Sequence, residues 1–259
     1  NANIGLNRNE VSKLYGEETQ MIIGDGSGIA GSAQKLLKPG LDSDSWYLRE
    51  WAGVNPANGA PQWYKTVKGA NGEETRELTS NYAEANSVVI DAYTPDFFGG
   101  FSTDLFWKEF DLSAVFGFSV GGKIYNYSRQ EYDADGAYSD RNQMKLISSW
   151  NRWEKEGDIA THPVAAYNNP SNSNKVSSRY LEDGTYLKLR SVSLGYNVPL
   201  NDYFISNLRL FVTGENLLTF TKYSGVDPEI PPINNKVSGV TTAVYPSTRK
   251  FLFGFNLTF

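Results

Sequence analysis

The last nine residues of the chain alternate without a break. Phe251, Phe253, Phe255, Leu257 and Phe259 share one parity, and Leu252, Gly254, Asn256 and Thr258 share the other. Successive side chains of a strand point to opposite faces, so the spacing predicts a strand with one wholly apolar, mostly aromatic face. Residues 110–120 repeat the pattern, with Phe110, Leu112, Ala114, Phe116, Phe118 and Val120 set against Asp111, Ser113, Val115, Gly117 and Ser119. Ala2, Ile4 and Leu6 alternate with Asn and Gly, and Leu208, Leu210 and Val212 alternate with Arg209, Phe211 and Thr213. Phe101, Thr103, Leu105 and Trp107 face away from Ser102 and Asp104. Residues 186–198 alternate with a phase slip, which a bulge near Arg190-Ser191 reconciles. Two weaker strands are expected over 46–54, where Glu50 interrupts, and over 60–67. The count is then about eight.

The connections come in two lengths. Trp107-Lys108-Glu109-Phe110, Asn55-Pro56-Ala57-Asn58-Gly59 and 199–206 are short. The stretches 9–45, 68–96, 121–185 and 219–248 are long and polar, and the two kinds alternate along the chain. This is the habit of a transmembrane antiparallel β-barrel, with short turns on the periplasmic side and long loops outside. In lipid every backbone polar group needs an internal partner, so the sheet must close and its outer face must be apolar. The expected lipid-facing residues are Phe110, Leu112, Phe116, Phe118, Leu208, Leu210, Phe251, Phe253, Phe255 and Leu257. Arg209 and Asp111 fall on the opposite face. A half-buried strand of a water-soluble sandwich also alternates, and a secreted glycan-binding β-sandwich is therefore an alternative.

Composition narrows the chemistry. The 259 residues carry 24 Lys+Arg against 29 Asp+Glu, a net charge of −5 with no basic run, which argues against a nucleic-acid binder. With no cysteine and only His162 as histidine, thiolate metal sites, cysteine nucleophiles, common triads and di-histidine centres are excluded. No apolar stretch approaches the roughly 18 residues of a membrane helix, and no charged-then-apolar leader opens the chain.

Gly26-Ser27-Gly28-Ile29-Ala30-Gly31 matches a dinucleotide fingerprint, but Pro39-Gly40 leaves too short a helix and no second parallel strand follows. It reads as a glycine-rich loop. Glu131, Asp133, Asp135 and Gly136 fall at calcium-loop spacing, yet position twelve is Asn142, which gives no bidentate carboxylate. Residues 139–153 have the spacing of a short helix, with Asp140 as cap and Met144, Ile147 and Trp150 on one side. Trp150 and Trp153 could stack on a ligand or pack the loop. His162, before Pro163, has no partner motif and is given no role. No enzymatic activity and no cofactor are expected.

Several stretches together resemble the SusC/RagA family of TonB-dependent outer-membrane transporters. They are Trp51-Ala52-Gly53-Val54-Asn55-Pro56-Ala57-Asn58-Gly59-Ala60-Pro61, Thr94-Pro95-Asp96-Phe97-Phe98-Gly99-Gly100-Phe101, and Arg152-Trp153 with Gly157-Asp158 and Pro163. They continue through Arg179-Tyr180-Leu181-Glu182-Asp183-Gly184-Thr185-Tyr186 to Arg190, Leu194-Gly195-Tyr196-Asn197-Val198-Pro199, and Gly214-Glu215-Asn216-Leu217-Leu218 to Tyr223. Gly225-Val226-Asp227-Pro228-Glu229, Tyr245-Pro246 and the terminal Phe close the set. The resemblance implies the carboxy-terminal part, about eight strands, of a 22-stranded barrel at the bacterial outer membrane, whose plug domain lies outside residues 1–259. It implies an active importer of oligosaccharides or oligopeptides, energised through TonB and paired with a SusD-like surface lipoprotein. It makes Phe259 the barrel-assembly signal. Arg190, Arg209, Glu215, Trp150 and Trp153 are the expected lumen- or substrate-facing residues. A complete eight-stranded barrel and a SusC-like barrel repurposed as a structural subunit are the remaining alternatives.

Overall fold

The computed structural model describes residues 1–24, 33–69, 71–200, 204–229, 237–241 and 245–259. The fingerprint-like run Gly26–Gly31 lies outside the described residues.

The alternating segments build one antiparallel meander of six strands. These are β1 (Ala2–Gly5), β2 (Phe97–Trp107), β3 (Phe110–Val120), β4 (Tyr186–Val198), β5 (Asn207–Thr221) and β6 (Lys250–Thr258). Each strand pairs with its neighbour in chain order, so the sheet is open, with β1 and β6 at its edges. Lys108, at φ 53, sits in the two-residue turn between β2 and β3. Because the strands run up and down, the short turns lie at one end and the long excursions leave from the other.

The register fuses the single-strand patterns into two continuous faces. Phe101 pairs with Phe116, Leu112 with Leu194, Leu194 with Val212, and Val212 with Phe253. Every one of these residues is apolar, and the rings of Phe101 and Phe116 stack at 4.6 Å. The other face carries Asp104, Asp111, Lys188, Arg209, Glu215 and Lys250. The expected bulge is present: Val115 pairs with Ser191 but Phe116 with Leu189, so Arg190 is the extra residue. On β5, Asn216 at φ 54 absorbs the same irregularity.

The count of about eight strands in this sheet is corrected to six. The weak strands at 46–54 and 60–67 exist, but β1 pairs directly with β2 and they join smaller sheets instead. Residues 6–96 are therefore one excursion rather than two loops flanking a wall hairpin. The physical reason lies in the side chains: Trp46, Leu48 and Trp63 are fully buried, which a two-faced wall strand does not allow. Within this excursion Trp51–Val54 and Pro61–Lys68 form a hairpin. Its 55–59 turn is closed by the Asn55 N–H donating to Ala60 O at 2.8 Å.

The buried core lies in the excursions, not in the sheet. Trp46 and Leu48 from the first meet Tyr125 and Tyr180 from the second and Val240 from the third. The Trp46 indole N–H donates to the Lys123 carbonyl at 2.8 Å. Lys35 is buried, paired with Asp44, and donates to Ser238 Oγ at 2.8 Å. Rings of Trp46 and Tyr93 lie over its ammonium at 4.7 and 5.2 Å. Burial lowers the Lys35 pKa, only partly offset by Asp44.

Candidate functional site

The polar face of the sheet is laced by ion pairs. Arg209 on β5 reaches across β4 to Asp111 on β3 with two hydrogen bonds, at 2.9 and 2.5 Å. Gly195 lies between them, and a Cβ there would collide with both side chains. Glu215 meets Lys250 at 3.6 Å. The bulge places Arg190 on the same face as Lys188, with its guanidinium over Gly117. Asp227 and Glu229 return from the third excursion to accept from Lys188 at 2.9 and 3.1 Å, and Glu229 also accepts from Arg190 at 2.6 Å. This straps 227–229 to the polar face. Asp227 keeps a low pKa because Ser247 and Lys188 outweigh the upward push of burial.

A second charged cluster lies inside the excursions. Asn126 caps the short helix Tyr127–Tyr132, its side chain accepting from the Arg129 N–H. The chain then turns through Asp133, Ala134 and Asp135, all buried. Asp135 is paired with Arg179, accepts from Arg152 at 2.7 Å and from Ser173 Oγ at 2.6 Å. Asp133 Oδ2 lies 2.8 Å from His162 Nε2, 3.2 Å from Arg129 Nε and 3.4 Å from Arg179 Nη2. Arg129 also reaches Glu182 at 3.3 Å and lies over Trp150 at 4.1 Å. Burial would raise the pKa of Asp135, but Arg179, Ser173 and Arg152 together hold it below the usual carboxylate value.

Three sequence readings are revised here. The acidic run at 131–135 is not a solvated loop: Asp133 and Asp135 are buried against arginines and Glu131 pairs with Arg141. The calcium-like spacing is thus the spacing of a buried ion-pair turn. Residues 139–153 form no helix; the helix lies earlier, at Tyr127–Tyr132, because Asn126 caps there. His162 does have a role: it is fully buried against Asp133, Trp150 and Thr161.

Gly136, next in the turn, has φ 92, and a Cβ there would strike the Ala166 carbonyl. Gly136→Ala combines left-handed strain with a backbone collision and is expected to cost about 1–3 kcal/mol. A lower temperature for proteolysis within 121–185 is the check; unchanged resistance would refute the strain.

The ten residues expected on the apolar face all share it in the register. Nothing in the described chain covers that face near β6, where Phe253 is 81% exposed. Phe259 lies just beyond β6 and is exposed as well. Arg190, Arg209 and Glu215 are on the polar face, each in an ion pair. Trp150 and Trp153 are not: Trp150 packs on Arg129 and His162, and Trp153 sits on Gly59 with its indole N–H donating to Pro56 O at 2.9 Å. Trp150 packs within the second excursion, and Trp153 joins it to the first.

No family model matches the chain. The TonB-dependent receptor P3 of Formosa agariphila is 31% identical over 271 residues, taking in 99% of this chain and 26% of that receptor. The chain is homologous to SusC/RagA-like TonB-dependent receptors. The receptor SusC of Bacteroides thetaiotaomicron is 23% identical over 265 residues, 99% of this chain and 24% of its own length. The solved RagAB peptide transporter matches with a TM-score of 0.77 at 26% identity, over all of this chain and 27% of that one. The chain thus spans about a quarter of the length of the relatives it matches. The SusC/RagA homology is to transport receptors and not to enzymes.

Sequence reading missed the strap and the inward turn. Asp227 and Glu229, like Asp133 and Asp135, are two apart; that spacing was the available signal, but Lys188, Arg190 and Arg179, which fix them, lie 39 to 46 positions away.

Proposed function

We propose that this chain is the carboxy-terminal wall of an outer-membrane importer of oligosaccharides or oligopeptides. The observation carrying the reading is the division of charge: across six paired strands every ionised side chain lies on one face and none on the other. A lipid-facing wall requires that division, since a cation on the lipid face costs roughly 2–4 kcal/mol near the midplane. The open edges of β1 and β6 would be continued by the strands of the remaining three quarters, closing a barrel of the expected 22 strands. The excursions then lie outside the cell and the short turns inside. A β-sandwich reading would need a second sheet on the apolar face, and among the described residues there is none.

The family name supports TonB as the source of energy, and the RagAB complex supports a SusD-like lipoprotein as partner. The plug would lie in the part of the protein outside this chain.

The test uses the whole receptor in its native cell. Uptake of labelled oligosaccharides or peptides is expected to stop when the receptor or TonB is deleted. A photo-cross-linker at Ile159 or Tyr167, both well exposed in the second excursion, should capture a surface lipoprotein. Capture only of periplasmic proteins would invert the topology. Normal uptake without the receptor, with altered membrane assemblies, would favour the structural-subunit reading.

A further inference from the structure

The strand Ser45–Arg49 divides its side chains between two surroundings. Trp46 and Leu48 are buried in the core, whereas Tyr47 and Arg49, of the other parity, are half-buried. Beside them a cleft of about 410 Å³ opens between the first and second excursions. A parallel bridge from Arg49 to Ser177 sets 174–176 along the same strand, and Lys175 lines the cleft together with Arg49.

Arg49 is fixed in place but not neutralised. Its Nε donates to Ala85 O at 2.9 Å and its Nη1 to the Tyr82 hydroxyl at 3.1 Å, and the guanidinium lies over the Tyr82 ring at 4.3 Å. All of these partners are neutral. Among the described residues no carboxylate pairs with Arg49 or with Lys175. By contrast Arg129, Arg141, Arg152 and Arg179 of the second excursion each have a carboxylate partner. Glu131 is the acidic group of the lining, and it is already served by Arg141 and by the Tyr127 hydroxyl, which donates to it at 3.0 Å.

The cleft therefore holds positive charge that nothing in the described chain answers. A half-buried guanidinium has lost part of its hydration, and an oxyanion replaces that loss with charge-assisted hydrogen bonds. The planar fork of arginine matches the two oxygens of a carboxylate. The rest of the lining agrees in sign. Gln34, Tyr47 and Ser87 are half-buried, and their side chains make no hydrogen bond with any described residue. Each brings an N–H or O–H donor, and donors are what the remaining lone pairs of a carboxylate require. A neutral ligand would leave both cations unanswered, and a cationic one would be repelled.

We propose that this cleft is a subsite for a carboxylate group carried by the cargo, bound by Arg49 and Lys175 with Tyr47 and Ser87 donating at its edge. The proposal rests on the importer reading and adds a charge preference to it. It concerns the group and not the polymer, since a uronic acid and an acidic peptide residue present the same two oxygens.

The experiment is calorimetric titration of the complete receptor purified in detergent, with two matched pairs of probes. One pair is tetragalacturonic acid and its methyl ester; the other is acetyl-Gly-Glu-Gly-amide and acetyl-Gly-Gln-Gly-amide. The charged member of at least one pair is expected to bind about tenfold tighter than its neutral partner, the worth of one charge-assisted hydrogen bond. That advantage should shrink as NaCl rises from about 50 to about 500 mM, because salt screens exposed charge. The pair that shows it identifies the carrier. Arg49→Met removes the advantage, and Arg49→Lys keeps part of it, since the charge stays while the fork is lost. Lys175→Gln lowers it about threefold by removing a charge at an exposed position. Lys155→Gln, exposed elsewhere in the second excursion, leaves it unchanged. Heat-modifiable gel migration identifies any variant that fails to fold, and the Lys175 variant, whose side chain holds no partner, keeps the test open if Arg49→Met does. Equal affinity for charged and neutral probes in both pairs overturns the proposal, as does an advantage that survives both Arg49→Met and Lys175→Gln. Failure to bind any of the probes overturns it also, because the cleft is then closed in the whole receptor. TonB-dependent uptake is measured in parallel. Uptake that proceeds while the cleft shows no charge preference removes this subsite and leaves the importer standing, whereas no TonB-dependent uptake of any cargo removes the importer reading itself.

Discussion

Replacing Arg179 with methionine lowers the stability of the folded excursions by about 3–5 kcal/mol, the cost of leaving a buried carboxylate without its cation. In the native cluster Arg129, Arg152 and Arg179 stand against Asp133, Asp135 and Glu182. Three charges of each sign cancel; without Arg179 one negative charge is left over. Arg179 serves both aspartates and also donates to Ser173 O at 3.1 Å. Arg152 and His162 remain but reach only one aspartate each. The excursions should then become protease-sensitive at a lower temperature while the sheet stays intact. Pairing Arg179→Met with Asp135→Asn removes one charge of each sign and should recover part of the loss, because the two groups are coupled. A single-variant cost below about 0.5 kcal/mol would mean that Arg152 and His162 suffice, against the general behaviour of broken buried pairs.

The same cluster sets an acid limit. The folded pKa of Asp135 lies below its unfolded value. Its contribution is therefore complete above the ordinary carboxylate range and is lost as pH falls through that range towards the depressed folded value. Asp135→Asn should flatten the acid dependence of protease resistance. It should leave the neutral-pH side of the profile unchanged in shape.

How far the sequence could be read depended on where each segment's partners lie. Alternation is local, so 110–120, 208–212 and 251–259 announced their faces, and the phase slip at Arg190 announced the bulge. The pairing of β1 with β2 was not legible, because 91 residues separate them. The strands at 46–54 and 60–67 have strand-like composition, and nothing local tells a wall strand from a strand folded over a Trp46–Tyr125 core. Glu50 was the available sign that 46–54 does not belong to the wall. The charged cluster was hidden in another way. Asp133-Ala134-Asp135-Gly136 has the residue types of a metal loop, and only the distant Arg179 and Arg152 decide that the carboxylates turn inward.

Phe255→Arg is the substitution that tests the wall itself. Phe255 pairs with Leu210 across the β5–β6 ladder, and both side chains stand on the charge-free face. A guanidinium there meets hydrocarbon under the proposed topology, at a cost of roughly 2–4 kcal/mol towards the midplane. Because Phe259, just beyond β6, is the proposed assembly signal, the loss should appear as reduced yield of heat-modifiable, assembled receptor. Asn256→Arg moves the same charge by one residue to the polar face. There it pairs with Arg209, whose charge Asp111 already balances, so the penalty is that of one like-charged cross-strand neighbour, at most about 1 kcal/mol. The contrast between adjacent positions separates lipid contact from general intolerance of arginine in β6. In a water-soluble protein with Phe255 facing solvent, both variants would assemble alike. In one with Phe255 sealed beneath another layer, Phe255→Leu would also be costly, whereas a lipid-facing leucine is nearly neutral. A large effect of arginine at 255, a small one at 256 and none of leucine at 255 is the pattern that only a hydrocarbon-facing strand produces.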